Sequence, residues 1–448
     1  MVRFAKRCMI LVLILCLLIP AAALAAYRVT VTMDVSNASQ LKAALYDKVK
    51  EINSGSTGTH LVVNIKADFD MGSVSWDAQT INSYGRYFFL TIKGNGHTIS
   101  GMNNMLVAGT WAGKGGVEIN GLTLSDANIV FDKDDTNGSE GVGAFIGKPS
   151  SSGGHILLED CHLVDSHVEG GHWTGGLIGY TSGYSGNDGP VFMNVDIKNC
   201  SVEDSTITGK GSVGGVIGHG LGDAWTGVTI SDTNVTGNTI TSTGSSKEKA
   251  GDIVGTVGTA GNSAQPSGKE KKTGFLVIEN TVAKDNTTTS GGKEIERIYG
   301  RTGTATEITI DGGLFDQYET AQDENLGNMT IKKINNPVFL ENMCKVTVKD
   351  GANGEVFADY TEYWPRGKEF FVDGIPVRPG YVFKGWSPAL PAVVSSDAVF
   401  TAMWESESSS NAAPVTGDST PLLLMSVLLI ISGLALVFVA TKRKAGQN

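Results

Sequence analysis

Cys161 to Gly179 reads CHLVDSHVEGGHWTGGLIG, and Cys200 to Gly218 reads CSVEDSTITGKGSVGGVIG. The two align without a gap at an offset of 39 residues. Leu163 meets Val202, Asp165 meets Asp204, Ser166 meets Ser205 and Val168 meets Ile207. Gly175-Gly176-Leu177-Ile178-Gly179 meets Gly214-Gly215-Val216-Ile217-Gly218. Self-similarity at a fixed period decides the architecture before any local reading does. Leu122, Leu124, Asp126 and Ile129 precede Cys161, Leu163, Asp165 and Val168 by the same offset. Gly143 to Gly147 matches Gly175 to Gly179 once extra residues near Asp132 to Asn137 are allowed for. Weaker copies follow at Val228 to Gly255 and at Phe275 to Gly300, with closing strands at 308–310 and 329–331.

Each unit has short runs with apolar residues alternating inward, the period of a strand. One unit alone cannot bury its apolar face, whereas stacked units share a continuous core. Thr, Val, Ile, Asn, Asp and Gly dominate the repeats and helix formers are scarce, as strands and tight corners require. The glycines around each Leu-Ile or Val-Ile pair are expected to serve a sharp backbone bend through positive φ. The chain before the repeats opens with a strand at 27–33. A helix follows, capped at Asn37 or Ser39, with an apolar stripe of Leu41, Ala44, Leu45, Val49 and Ile52.

A short helix, then strands, then Lys93-Gly94-Asn95-Gly96-His97-Thr98-Ile99 resembles the first coil of right-handed parallel β-helices of the pectate-lyase-like type. The resemblance implies that the helix caps the open end of the coil. The glycine-bracketed pairs between about Gly141 and Gly255 resemble the GLUG-type motif of bacterial surface proteins. From Cys344 the texture changes. Pro379-Gly380-Tyr381-Val382-Phe383-Lys384-Gly385-Trp386, then a strand ending Thr401-Ala402-Met403-Trp404, resembles the Listeria–Bacteroides repeat, a small β-grasp-like domain. Tyr381, Phe383, Trp386 and Trp404 are expected to be its core, because a domain this small needs its large side chains inside.

The two ends read as targeting segments. Arg3, Lys6 and Arg7, an apolar run from Met9 to Ile19, and small residues at 21–26 have the order of a secretory signal peptide. Pro421 to Ala440 is an uncharged apolar stretch long enough to span a bilayer core of about 30 Å, followed by Lys442, Arg443 and Lys444. Basic residues just past a span mark the cytoplasmic side. Ala413-Pro414-Val415-Thr416-Gly417 upstream of that span resembles the cell-wall sorting signal of Gram-positive surface proteins, with Ala413 where the family usually carries Leu. The resemblance implies a sortase as partner. It would recognise Pro414, Thr416 and Gly417, cleave after Thr416, and join that residue to peptidoglycan.

The chain carries 46 acidic against 35 basic residues, a formal net charge of −11. An acidic body does not suit nucleic acid. Cys161, Cys200 and Cys344 are too few and too uneven for a disulfide framework, and no cysteine or histidine spacing marks a metal site or a cofactor. Cys161 and Cys200 are expected to stack as thiols, since Leu122 fills the same slot one unit earlier.

Paired carboxylates are the obvious place to look for chemistry. Asp126, Asp165 and Asp204 share one repeat position and would stand about 5 Å apart on neighbouring rungs. Each lies in a turn-like context (LSDANI, LVDSHV, VEDSTI), where Asp bonds local backbone. A side chain repeated on every coil reads as structural, so no catalytic residue is assigned. His155, His162, His167 and His172 cluster in one unit and read as solvated residues. Trp111, Tyr184 and Trp225 fall between strands and are the candidate ligand contacts, a strip along one side of the coil.

The expected molecule is all-β and extracellular: a signal peptide (1–26), a right-handed parallel β-helix with an N-terminal capping helix (27–343), a β-grasp-like module (344–404), a linker with the sorting motif (405–420), a transmembrane helix (421–440) and a basic cytoplasmic tail (441–448). The expected role is adhesion, with a glycan or a host or neighbouring-cell surface protein as ligand. A polysaccharide lyase or glycoside hydrolase, and a passive stalk, are the alternatives.

Overall fold

The computed structural model describes residues 29–407 except 73, 84–86, 112–114, 132–140, 152–153, 184, 187–188, 191–192, 222–225, 245–248, 259–273, 296, 303–305, 317–329, 336, 340–342, 371 and 373. The expected signal peptide, sorting motif, membrane span and basic tail, and the loop at 132–137, lie outside the described residues. Among the described residues no helix is long and apolar enough to cross a membrane.

The repeat unit folds as four strands in four sheets. His155–Val164 lies in the first sheet, His167–Gly170 in the second, Trp173–Gly175 in the third and Ile178–Tyr180 in the fourth. Each pairs in parallel with its equivalents one unit before and one unit after. Leu163 stands opposite Leu124 and Val202, Val168 opposite Ile129 and Ile207, Gly175 opposite Gly143 and Gly214, and Ile178 opposite Ile146 and Ile217. These are the partners of the sequence alignment. The chain is all-β with stacked parallel sheets, a β-helix-like arrangement in which each unit adds one rung.

The core is a set of columns running along the stack. In the first sheet one column is Met33, Val63, Ile92, Ile119, Leu158, Ile197, Ile230, Ile278, Ile310 and Ile334. From Val63 to Ile310 its members are buried. Burying one such side chain is worth about 1.5–3 kcal/mol, and a rung gains it only if its neighbours are present. Cys161 and Cys200 are free, buried thiols in this core, each facing carbonyl oxygens of its own and the preceding unit.

The corners are shared between two residue types. Asp126, Asp165 and Asp204 have φ of 49°, 48° and 48°, in the left-handed region. A second corner carries the same conformation at Asp160, Asn199, Asp232 and Asn280. Asp and Asn enter this region more cheaply than other side chains. The aspartate ladder therefore turns the chain. Beside it runs a polar ladder. Ser166 Oγ accepts from the Ala127 N–H, Ser205 Oγ from the Ser166 N–H, Asn238 Oδ1 from the Ser205 N–H and Asn286 Oδ1 from the Asn238 N–H, at 2.9–3.0 Å. Each side chain satisfies the backbone of the unit before it.

The motif glycines have a different reason from the one expected. None of Gly175, Gly176, Gly214 or Gly215 has positive φ. A Cβ on Gly175 would stand 2.1 Å from the Ile178 carbonyl oxygen, and one on Gly176 2.1 Å from that of Gly215. The third and fourth sheets approach so closely that no side chain fits between them. The motif encodes backbone proximity, and the bend conformation is supplied elsewhere by Asp, Asn and other glycines such as Gly121 and Gly237.

The predicted helix spans residues 38–54, with a π-helical stretch at Ala43–Lys48. The Asn37 side chain accepts from the Gln40 N–H at 3.0 Å, and Gln40 Oε1 accepts from the Ser36 N–H at 2.7 Å, closing a reciprocal cap. Its stripe of Leu41, Ala44, Leu45, Val49 and Ile52 is buried in the main core.

Residues from Met343 onward have a separate core of Cys344, Val346, Val348, Phe370, Val394 and Phe400. Its four-stranded sheet pairs Met343–Lys349 in parallel with Ala398–Ser406 and antiparallel with Tyr360–Pro365; Tyr381–Ser387 adds antiparallel to Ala398–Ser406. The expected aromatic core is corrected here. Tyr381 is 38% exposed, with the Arg378 guanidinium 3.9 Å above its ring. Phe383, Trp386 and Trp404 are half-buried and pack edge to face at 5.5 Å. Val346, Val348 and the stacked Phe370 and Phe400 fill the middle, and the motif aromatics cover it.

Candidate functional site

Of the three aromatic residues expected to form a ligand strip, Trp111 is described, at 55% exposure on the strand Val107–Trp111 of the fourth sheet. Tyr184 and Trp225 lie outside the described residues. Trp111 pairs with Ser150, and Gly109, two residues earlier, pairs with Lys148. On this stretch Pro149 and Thr110 are buried while Lys148, Ser150 and Trp111 keep exposed surface. Residues two apart on a strand share a face, so Trp111 and Lys148 lie on one face.

Lys148 leads to a group of rings. Ile146 pairs with Ile178, which sets Lys148 beside Tyr180, and Tyr180 pairs with His219. On the third sheet Trp173 pairs with Gly141 on one side and Ser212 on the other. Trp173 and Tyr180 close over the glycine corner and stack, with centroids 4.1 Å apart and planes at 22°. Lys148 Nζ lies 5.4 Å from the centroid of each. His172 meets Trp173 edge-on at 4.9 Å, and His219 meets it edge-on at 5.8 Å. All five side chains are half-buried.

His219 is the unusual member. Both its ring nitrogens are buried. Burial pushes its pKa down to about 4. The electrostatic influence of His172 and Lys249 acts in the same direction, against a backbone hydrogen bond with Gly258. The imidazole is therefore neutral at neutral pH.

Trp173 and Tyr180 flank a motif that reads as architecture, so the sequence of one unit does not mark them. The signal that finds them is the difference between aligned copies. At the position of Trp173 the neighbouring units carry Gly141 and Ser212; at that of Tyr180 they carry Lys148 and His219. A repeated frame here displays a non-repeated cluster.

A second break in the repeat lies on the outer face of the first sheet. Glu118 and Asp196 both stand opposite Leu157, one on each side. His155 reaches both: Nε2 is 2.9 Å from Asp196 Oδ2 and Nδ1 is 4.0 Å from Glu118 Oε1. Lys198 Nζ is 2.9 Å from Glu159 Oε1 beside them. Burial lifts the Glu118 carboxyl above the usual range, with His155 opposing and Glu159 adding. For His155, burial pulls the pKa down, but the bond and charge of Asp196, with Glu118, outweigh it and raise it. No short stretch of sequence shows this group, because its members come from three strands.

The other histidines disperse. His162 meets Ser201 Oγ at 2.9 Å and His167 meets Glu169 at 3.3 Å.

No family model matches this chain, and no curated protein matches it. Among solved structures the chain is similar to a protein described as a "putative immunoglobulin A1 protease" from Bacteroides ovatus. That likeness has 17% identity and a TM-score of 0.44, over 74% of this chain and 91% of that one. It carries no argument about activity.

Proposed function

We propose that this chain is a cell-surface binding protein whose ligand is a glycan. In this reading a right-handed parallel β-helix, capped by the helix at 38–54, is displayed outside a Gram-positive cell. It stands on the β-grasp-like module and is held by the span at 421–440 or by sortase transfer of Thr416 to the cell wall. The observation that carries the binding role is the Trp173–Tyr180 stack of one unit with Lys148 of the unit before it; the neighbouring units carry Gly141 and Ser212 in place of Trp173, and Lys148 and His219 in place of Tyr180. Aromatic rings with a polar tip give an apolar platform that also hydrogen-bonds, the surface a sugar ring needs. A glycan-array screen of the intact protein, run beside a polysaccharide-cleavage assay, tests it. Binding that falls at least about tenfold in Trp173→Ala, without cleavage, is expected. No binding to any glycan would overturn it.

A second reading rests on the Glu118–His155–Asp196 group. The two carboxylates flank one strand and share the His155 imidazole, at 4.0 Å from Glu118 and 2.9 Å from Asp196, a pairing in which one carboxyl could serve as acid and the other as base. The raised Glu118 carboxyl suits the acid. Release of reducing sugar by the intact protein, lost in Glu118→Gln and in Asp196→Asn, would select this hydrolase reading over the adhesin.

A further inference from the structure

Cys161 and Cys200 stand at the same position of consecutive units. Their chain neighbours fix the register: Glu159 pairs with Lys198 and His162 with Ser201, in parallel. In-register parallel strands hold equivalent Cα atoms about 4.8 Å apart, inside the range of about 4.4–6.8 Å that a disulfide spans. Both side chains are buried in the main core, whereas Cys344 lies in the separate core of the module. Each of the two thiols has the other as a hydrogen-bond partner.

The slot itself does not ask for sulfur. One unit earlier it holds Leu122, a hydrocarbon. One and two units later it holds Thr233 and Thr281, the residues just before the paired Asn234 and Val282. Their hydroxyls donate to the carbonyls of Ser231 and Glu279, two residues back, as the thiols of Cys161 and Cys200 do to those of Glu159 and Lys198. A hydroxyl is the stronger donor. From Leu122 to Thr281, sulfur stands in this column only where two sulfurs meet.

We infer that Cys161 and Cys200 are an oxidisable pair that closes into a disulfide across two rungs. The oxidant is an organic disulfide. One cysteine gives up its proton, and its thiolate attacks a sulfur of that disulfide and expels one thiolate. The second cysteine, also deprotonated, attacks the first cysteine's sulfur in the mixed disulfide and expels the other. The pair loses two electrons and two protons, and the reagent leaves as two thiols. Burial pushes the Cys161 thiol up and keeps both sulfurs from solvent, so the exchange takes place before the rungs close on each other. The bond then ties one repeat into a loop and holds together two rungs that otherwise separate singly. None of this depends on the glycan reading.

The intact protein, unfolded and reduced, is refolded with oxidised and reduced glutathione, then alkylated in denaturant and mapped by peptide mass. The Cys161 and Cys200 peptides are expected joined, lighter by two hydrogens than their free sum, with Cys344 alkylated. The oxidised protein should unfold about 5–10 °C above the reduced one. The double variant Cys161→Thr with Cys200→Thr, which repeats the choice at Thr233 and Thr281, should unfold at one temperature in both buffers. Both cysteines alkylated after oxidative refolding, or either one joined to Cys344 or left as a glutathione adduct, would overturn the inference. Should the double variant fail to fold, the oxidised and reduced forms of the unaltered protein supply the comparison. Should the reduced chain fail to refold, the same map of protein secreted and purified without reductant decides the question.

Discussion

Gly175 and Gly214 in the stacked sheets do the opposite work from Gly354 in the C-terminal module. In the stacked sheets Gly175 and Gly214 have ordinary φ, and a Cβ on either would meet backbone oxygen at 2.1 Å. In the C-terminal module Gly354 has φ of +82°, and a Cβ there would meet nothing within 4 Å. The first two positions need an empty space and the third a backbone shape. Solenoid rungs are held to a fixed spacing, and the third and fourth sheets fold back on each other inside it. The module is free to set its strand directions by turns. One residue type thus answers two constraints, and replacements that keep one property separate them.

Asparagine tolerates the left-handed region but carries a side chain. Gly175→Asn is expected to cost about 3 kcal/mol or more and to lower the denaturant midpoint of the stacked region. Gly354→Asn is expected to cost less than about 1 kcal/mol. Equal losses would break the comparison.

Acid should also distinguish the regions. His219 has its folded pKa lowered to about 4 from 6.5, so the unfolded chain binds the extra proton between those values. Stability of the stacked region is therefore full above about pH 6.5 and falls by about 3 kcal/mol as the pH drops to 4. His219→Phe should flatten that slope, read by urea unfolding across pH. In the module, Asp350 accepts from the N–H groups of Ala352 and Val356, and its carboxyl is held below the usual range by such backbone bonds against the opposing effect of burial. Its contribution is present above the ordinary carboxylate pKa and is lost only at lower pH. The module should hold where the stack has begun to soften, and a single acid transition for both would refute this.

Smaller effects sharpen the contrast. Ser205→Ala removes the acceptor of the Ser166 N–H at 3.0 Å in a buried column. It should cost about 1–2 kcal/mol, the penalty of a buried donor left unpaired. Trp404→Phe in the module removes the Nε1–H bond to the Asp350 carbonyl at 2.7 Å and should cost about 1 kcal/mol. Calorimetry that tracks the two transitions separately checks both.

The stacked fold was legible because register is a property of the whole repeat. Once Leu163 is aligned with Val202, the alternation of every later residue follows. The reason for the glycines was not legible, since both a bend and a close approach select the same residue. The module core was misread at Tyr381 because an aromatic motif says which large side chains are present, not which of them a four-stranded sheet leaves on its rim. The ring cluster was missed because Trp173 and Tyr180 sit seven residues apart across a corner and become neighbours only when the sheets fold back. The Glu118–His155–Asp196 group is harder still, with members from three units and a meaning that exists only between rungs.

The parallel stacking has a mechanical side. Every ladder bond between units points along the axis of the stack, from the edge strand Val29–Val35 toward Thr330–Asn335. A pull between those two ends would load the bonds of one rung in tension, peeling rung from rung, and would not shear a whole sheet at once. Such a body lengthens in steps under modest force, each step freeing one repeat while the rest stays folded. That is the behaviour of an extensible line and not of a rigid rod.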